Sequence, residues 1–388
     1  MKVVARAAIV SLWLPFLSHV GRQAAACASC PPFQPYVLSA FLAAYASSML
    51  VHSTYVDRLS KMGARAAVLL HLLTFAAAVR VHQVRPEYDI VAWCAHATAT
   101  SLLWPIAFKL INVKRRSRKL LVLWSLQGTA GDMVGCLLHP LFDEPGQTPS
   151  TLLALCLGSL VVMGAVYPNE LPPPRPYPPA IPIPMLPPRS VWSSTARYPA
   201  LLVLLASVSV KSMTYSASNF MPVLHLHYSL YSAGCIGGTL LSGVLADASS
   251  GVGFLVATSL CLLAHAASGW ALDLWHETWY SVLFGVASSC ASTMLSICIC
   301  ADVADATSAH GRVTAVLDSL ATLGAAAVQL AARDHFPTVT VASASVLVSA
   351  SALLWAEGRR QRLPWSRARG TDLLLPPPSL PDSSCSCG

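Results

Sequence analysis

Long apolar stretches alternate with short polar breaks along the whole chain. Twelve such stretches can be distinguished, and each has about the 17–25 residues that a helix needs to cross a bilayer. The stretches lie near residues 5–27, 36–56, 64–82, 89–111, 119–141, 150–167, 199–222, 230–247, 252–272, 279–301, 312–333 and 337–356. The pattern predicts an all-α membrane protein of twelve transmembrane helices, arranged as two groups of six.

The first stretch has a second interpretation. Lys2 and Arg6 precede an apolar core, and small residues precede Cys27. This order is also typical of a signal peptide that is removed during secretion. Cleavage would leave eleven spans, so the pattern alone keeps both interpretations open.

A proline-rich segment separates the two groups of helices. Residues 168–198 include the run PNELPPPRPYPPAIPIPMLPPRS, which no helix tolerates. We interpret it as a stiff, polyproline-like spacer. The predicted organisation is therefore an N-terminal six-helix bundle (1–167), a cytosolic linker (168–198), a C-terminal six-helix bundle (199–356) and an Arg- and Pro-rich cytosolic tail (357–388).

The composition agrees with a lipid environment. Hydrophobic residues make up 55% of the chain, charged residues 11%, and the mean hydropathy is +0.57. A soluble domain carries about 25% charged residues, so a soluble enzyme is excluded. The net charge of +8 is interpreted as an indication of which loops face the cytosol, and not as evidence of nucleic-acid binding.

The distribution of lysine and arginine predicts the orientation. If the N-terminus is cytosolic, 19 basic residues fall on the cytosolic side and three on the other, and three lie within the spans. Such an asymmetry favours cytosolic placement of both termini.

The remaining chemistry gives no indication of an enzyme. The 12 cysteines lie mostly singly in apolar stretches, as small core residues do. Cys27 and Cys30 have C-x-x-C spacing without a second pair, which leaves a lumenal disulfide as an alternative to a metal site. No nucleophile–base pattern, metal cluster or phosphate-binding loop is present in the sequence.

Two segments 190 residues apart resemble each other. They are SMLVHSTYVDR at 48–58 and GTLLSGVLAD at 238–247. In each, small residues five apart are followed by an aspartate at the predicted cytosolic helix end. Small residues allow two helices to approach closely. Two six-helix halves in parallel repeat are the architecture of the major facilitator superfamily. We therefore expect Asp57, Arg58, Gly243 and Asp247 to act in a cytosolic gate.

Charged residues inside the predicted spans are functional candidates, because a charge in the membrane is costly. Lys211 lies at the centre of the seventh stretch. Arg22 lies 35 residues before Asp57, and Lys211 lies 36 before Asp247, so the two cations occupy nearly equivalent places. A cation from each half facing one cavity suits an anion such as phosphate. The alternative is that Lys211 forms a salt bridge to Asp132 or Asp318 and that Arg22 lies at a lumenal helix end.

Three further polar residues lie in the predicted spans. Asp132 and Asp318 are either partners of an embedded cation or carriers of a proton. His19 is expected to hydrogen-bond to another helix or to a substrate.

Five stretches resemble the sugar-phosphate exchangers of the major facilitator superfamily, the glycerol-3-phosphate and glucose-6-phosphate transporter group. They are His19-Val-Gly-Arg22-Gln23, Tyr45 to Leu59, Trp104-Pro105 with Arg115, Arg116 and Trp124, Lys211-x-x-x-Tyr215 with Pro222, and Ala301-Asp302 followed by VTAVLD at 313–318 and Gly324-Ala325-Ala326. The last stretch is the most specific. Gln23, Ser319 and Ala321 depart from the family pattern, which leaves the identity of the substrate open.

The resemblance implies an antiporter that exchanges a sugar phosphate or another organophosphate for inorganic phosphate. It implies that Arg22 contacts the phosphate, with Lys211 as a second basic contribution, and that His19, Tyr215 and Trp124 complete the substrate site. It also argues against cleavage of the first stretch. No cofactor is needed, because two solute gradients drive exchange. The family fits the endoplasmic reticulum or another internal membrane.

Two alternatives remain at this point. One is a proton-coupled transporter of an organic anion or sugar, in which Asp318 or Asp132 carries the proton. The other is a non-transporting scaffold or sensor that engages cytosolic partners through its linker and tail.

Overall fold

The structure of the protein is a computed structural model that describes residues 16, 19, 35–54, 61–103, 118–138, 194–220, 228–248, 252–275, 277–298, 310–331 and 336–359. Within these ranges the chain forms α-helices, one short 3-10 turn (Pro86–Tyr88) and no strand. The helices are α1 (Pro35–His52), α2 (Lys61–Val84), α3 (Asp89–Thr100), α4 (Arg118–Leu138), α5 (Ser194–Phe220), α6 (Tyr228–Ala248), α7 (Val252–Trp275), α8 (Thr278–Cys298), α9 (His310–Ala331) and α10 (Phe336–Arg359).

These helices correspond to ten of the twelve predicted stretches. Helices α1–α4 are the second to fifth stretches, and α5–α10 are the seventh to twelfth. Helix α5 begins at Ser194, five residues before the predicted start, so it extends into the segment assigned to the linker. The stretches near 5–27 and 150–167, apart from Phe16 and His19, lie outside the described residues, as do most of the linker and the tail beyond Arg359.

Large apolar side chains fill the core, but part of the helix surface shows the reverse of the pattern in a soluble protein. On α6, Ser232, Thr239 and Ser242 are buried, whereas Leu240 and Val244 are exposed. The hydroxyl of Thr239 is satisfied by the backbone oxygen of Cys235 one turn earlier. A helix of this kind presents leucine and valine to lipid and packs its small polar side chains against its neighbours.

Three described helices have the length and hydropathy of a membrane span. Their apolar windows are Ser229–Ala246, Gly253–Trp275 and Phe336–Ala356. The apolar runs Leu201–Ala217 of α5 and Ala315–Ala331 of α9 are shorter. Each of these two runs contains a charged residue, Lys211 in α5 and Asp318 in α9, which lowers its mean hydropathy.

Aromatic residues mark one end of the bundle. Trp275 at the end of α7 and Trp279 at the start of α8 are exposed, and the Trp275 ring stacks on Tyr280 with centroids 5.1 Å apart. Tryptophan and tyrosine concentrate where a membrane meets water. The connection between α7 and α8 therefore fits the level of the lipid headgroups.

The packing of α1, α2 and α3 recurs in α6, α7 and α8. Helix α3 packs against α1 and α2, and α8 packs against α6 and α7. In the first group the buried His71 ring lies 4.9 Å from the His96 ring, and in the second the buried His265 ring lies 4.9 Å from the Phe284 ring. The two halves therefore repeat a buried histidine on an aromatic ring of the next helix.

Among the described helices, two pairs form the main contacts between the halves. Helix α1 packs against α9, and α4 packs against α6. In the predicted numbering these are stretches two with eleven and five with eight. The two interfaces are equivalent under exchange of the halves, as a parallel repeat requires.

Glycines allow α6 and α8 to touch through their backbones. A Cβ atom at Gly234 would collide with the backbone of Val282, one at Gly238 with the backbone of Val286, and one at Gly285 with the backbone of Tyr231. Close backbone approach of this kind is typical of small-residue helix contacts in membranes.

We predict that Gly238→Ala destabilises the protein, whereas Gly237→Ala does not. A Cβ at Gly237 would meet only a Val286 side-chain carbon, at 3.9 Å, which is ordinary contact. The forced separation at Gly238 is expected to cost about 1–3 kcal/mol. Thermal unfolding of the detergent-solubilised protein, followed by tryptophan fluorescence, tests this. Equal midpoints for both variants would show that the α6–α8 contact is not tight.

Candidate functional site

A lysine and an aspartate form an ion pair between α5 and α9. The Nζ atom of Lys211 lies 2.6 Å from Oδ1 of Asp318. It also donates to Oγ1 of Thr322 at 2.6 Å and to the backbone oxygen of Asp318 at 3.3 Å. Of the alternatives left open by the sequence, the structure therefore places Lys211 in a salt bridge with Asp318.

The spacing of Asp318 and Thr322 along α9 explains why both residues contact Lys211. Thr322 lies four residues after Asp318, so both side chains are on one face of the helix. The Thr322 hydroxyl donates to the backbone oxygen of Asp318 at 2.7 Å. The hydroxyl oxygen is thereby oriented to accept a hydrogen bond from the Lys211 ammonium group. Asp318 and Thr322 together bind this group.

The ion pair is not sealed in the bundle. The Lys211 side chain is 21% exposed and the Asp318 side chain is 29% exposed. Ionised side chains at membrane depth face the bundle interior or a water-filled cavity rather than lipid. Most of the pair is thus buried between the helices, and a smaller part of each side chain stays accessible.

Further hydrogen bonds hold α5 against its neighbours. Nε2 of Gln329 on α9 donates to Oγ of Ser216 at 2.6 Å and to the backbone oxygen of Ser212 at 3.3 Å. Thr214 and Ser288 share a hydrogen bond of 2.7 Å between α5 and α8. The helix that carries Lys211 is thus fixed on two sides by polar contacts.

A second base–acid pair lies in the N-terminal half. Nδ1 of His19 is 3.0 Å from Oδ1 of Asp132 on α4, and the side chains are 31% and 15% exposed. Gly128, one turn before Asp132, provides the space for the ring, because a Cβ there would lie 3.2 Å from the imidazole. The pair joins the first predicted stretch to α4.

The two pairs occupy corresponding places. His19 and Lys211 lie on the first helix of each half, and Asp132 and Asp318 lie on the fifth. The acids lie on α4 and α9, and each of these helices packs against the other half. Each half therefore connects its first helix to an interface helix through one base–acid contact.

The other predicted site residues are placed as follows. Tyr215 lies one turn after Lys211 on α5 and is partly exposed. Trp124 lies in α4, and Gly243 and Asp247 lie near the end of α6, although the side chains of Trp124 and Asp247 are outside the described part. Arg22, Asp57 and Arg58 lie outside the described residues, so the predicted Arg22–Lys211 relationship stays a prediction.

Several participants were missed by the sequence reasoning. Thr322, Gln329 and Gly128 are ordinary residues of apolar helices, and nothing in their type marks a site. The spacing of four between Asp318 and Thr322 is a signal for a shared face, but it becomes informative only once α5 is known to lie opposite. Among the residues that the structure describes, no three potential metal ligands come together.

Comparison with known proteins gives the family context. The sequence profile described as Major Facilitator Superfamily matches residues 8–328. No curated protein sequence matches the chain significantly.

Solved structures match the fold along nearly the whole chain. The crystal structure of the transporter FucP in its outward conformation matches with a TM-score of 0.62 at 11% identity, covering 93% of this chain and 99% of that one. The nucleoside transporter NupG matches with a TM-score of 0.61 at 14% identity, covering 92% and 99%.

We predict that Lys211→Ala lowers stability and that adding Asp318→Ala restores part of the loss. The single change leaves a carboxylate at membrane depth without its cation. A fully buried pair costs about 3–5 kcal/mol to break in this way, and partial exposure reduces the expected loss to about 2 kcal/mol. Thermal unfolding of both single variants and the double variant gives the coupling energy between Lys211 and Asp318. Additive losses would contradict an energetic role for the ion pair.

Proposed function

Because this chain belongs to the Major Facilitator Superfamily, we propose that it exchanges an organophosphate, most specifically a sugar phosphate, for inorganic phosphate by alternating access. The observation that carries the proposal is the Lys211 side chain, which lies nine residues before the end of α5 and is 21% exposed. An embedded cation that solute can reach suits an anionic substrate, since charge-assisted hydrogen bonds to phosphate oxygens are strong.

Membership in the superfamily confirms the predicted fold class and makes the chain a membrane transporter rather than an enzyme. Transporters of this fold move small molecules by rocking two halves around a central site. The interfaces of α1 with α9 and of α4 with α6 are the surfaces along which such rocking would occur.

In the proposed cycle Lys211 binds the phosphate group from the C-terminal half. Arg22 is assigned the corresponding role in the N-terminal half on the strength of the sequence resemblance. Tyr215, one turn from Lys211, and His19 and Trp124 contribute polar contacts to the rest of the substrate. Asp57 with Arg58, and Gly243 with Asp247, form the cytosolic gate.

A second candidate function is proton-coupled transport of a sugar or organic anion. One observation favours it: Asp132 and Asp318 each contact a basic side chain, at 3.0 and 2.6 Å. A base–acid contact of this kind can open when the acid takes up a proton. Uptake that follows a pH gradient and needs no phosphate on the other side would support this candidate over exchange.

We predict that Arg22→Ala and Lys211→Ala each reduce phosphate counterflow at least tenfold. Each removes one charged contact to the phosphate, and the loss of a charge-assisted hydrogen bond is worth about 1.5–3 kcal/mol. The measurement is uptake of labelled phosphate into proteoliposomes loaded with phosphate, followed by competition with a panel of sugar phosphates.

Arg85→Ala is the charge-matched control for this measurement. Arg85 lies after the end of α2 with its side chain 70% exposed and pairs weakly with Glu87 at 3.5 Å. Its removal is expected to leave counterflow unchanged. Unchanged exchange in the Arg22 and Lys211 variants would refute their assignment to the phosphate.

The proposal includes an internal membrane, with the endoplasmic reticulum as the first choice, and cytosolic placement of both termini. We predict that an epitope appended after Gly388 is reached by antibody when only the plasma membrane is permeabilised. An epitope inserted between Arg85 and Glu87 is expected to require permeabilisation of the internal membrane as well. The reverse pattern would overturn the orientation, and staining of intact cells would overturn the location.

A further inference from the structure

All three N–H donors of the Lys211 ammonium group have an acceptor in the structure. A lysine offers three N–H donors and no acceptor. Here three oxygen atoms surround Nζ, namely Oδ1 of Asp318 at 2.6 Å, Oγ1 of Thr322 at 2.6 Å and the backbone oxygen of Asp318 at 3.3 Å. All three acceptors belong to α9, so this one helix occupies all the hydrogen-bond donors of Lys211.

A phosphate group can therefore bind Lys211 only by displacing one of these oxygens. The Asp318 carboxylate is the acceptor most like a phosphate, because both are anions that accept from the ammonium group. An arriving phosphate group would also repel this carboxylate, since two anions within a few ångströms repel each other at membrane depth. Thr322 and the backbone oxygen are neutral and can stay.

We propose that Asp318 is an internal counter-anion, which occupies Lys211 in the substrate-free carrier and is displaced by the phosphate group of the substrate. The inference rests on the proposed function and identifies the residue that tunes its affinity. Substrate binding is an exchange of one anion for another on the same cation. The apparent affinity is then the difference between two ion pairs, which keeps the substrate releasable.

The surroundings allow this exchange without separating the helices. Asp318 is more exposed than Lys211, at 29% against 21%, so its carboxylate has room to turn away. Gln329 ties α9 to Ser212 and Ser216 of α5 independently of the ion pair. The position of Lys211 is therefore preserved while its partner changes.

The test is phosphate binding to Asp318→Asn. Removal of the competing charge is expected to lower the Kd for phosphate at least tenfold. This Kd is obtained from the rise of the unfolding midpoint with phosphate concentration, since a ligand stabilises according to its concentration relative to Kd. The KM for phosphate in counterflow is expected to fall by a similar factor. Inorganic phosphate is the probe in both measurements, on the full chain in detergent and in proteoliposomes.

Glu87→Gln is the matched control, because it removes an exposed carboxylate that pairs with Arg85 outside the helices. It is expected to leave both values unchanged. If Asp318→Asn does not fold, Asp318→Ser replaces it, since a hydroxyl can still accept from Lys211 without carrying charge.

The outcomes separate the inference from the function on which it rests. Wild-type protein that binds phosphate, together with a neutral Asp318 variant that binds it equally or more weakly, overturns the inference and leaves exchange intact. Wild-type protein that neither binds nor exchanges phosphate overturns the proposed function, and the inference with it. Tighter binding in the variant, absent in Glu87→Gln, supports both.

Discussion

The structure depends on the neutralisation of charge at membrane depth. An ammonium group in the bilayer costs several kcal/mol unless an anion and further acceptors accompany it. Lys211 meets that requirement entirely from α9, through Asp318 and Thr322. The contact between α5 and α9 is therefore fixed by electrostatics as well as by packing, and the helix that carries the cation cannot move independently of the helix that carries its partner.

The same constraint acts on many polar side chains of the spans. Several serine and threonine hydroxyls bond to backbone oxygens one turn earlier, as Thr258 does to Phe254 and Ser259 does to Leu255. Such side chains cost little to bury and take little space, so α6 and α8 can approach to backbone contact at Gly238. Many leucine and valine side chains lie on the exposed surface, where lipid is expected, and others pack in the core.

The sequence predicted most of the architecture, because hydrophobic length is a strong signal when a helix must cross a bilayer. Ten predicted stretches contain helices, and Lys211 and Asp318 were both identified as embedded charges. The choice of partner was not predictable, because Asp132 and Asp318 are the same residue type and each lies within a predicted span. Only the packing of α5 on α9 selects Asp318, and the packing of His19 beside Gly128 selects His19 for Asp132. At the start of α5 the helix begins at Ser194, before the apolar stretch itself, because hydropathy does not mark where a helix starts.

The placement of the two acids connects the site to the motion of the halves. Asp318 lies on α9, which packs on α1 of the other half, and Asp132 lies on α4, which packs on α6. The bases lie on the first helix of each half. A solute that takes a base away from its acid therefore changes the charge on an interface helix, whichever half it acts on. The arrangement occurs once in each half. A substrate bound between the halves, as proposed above, would therefore act on both interface helices, because it would compete for the base of each pair.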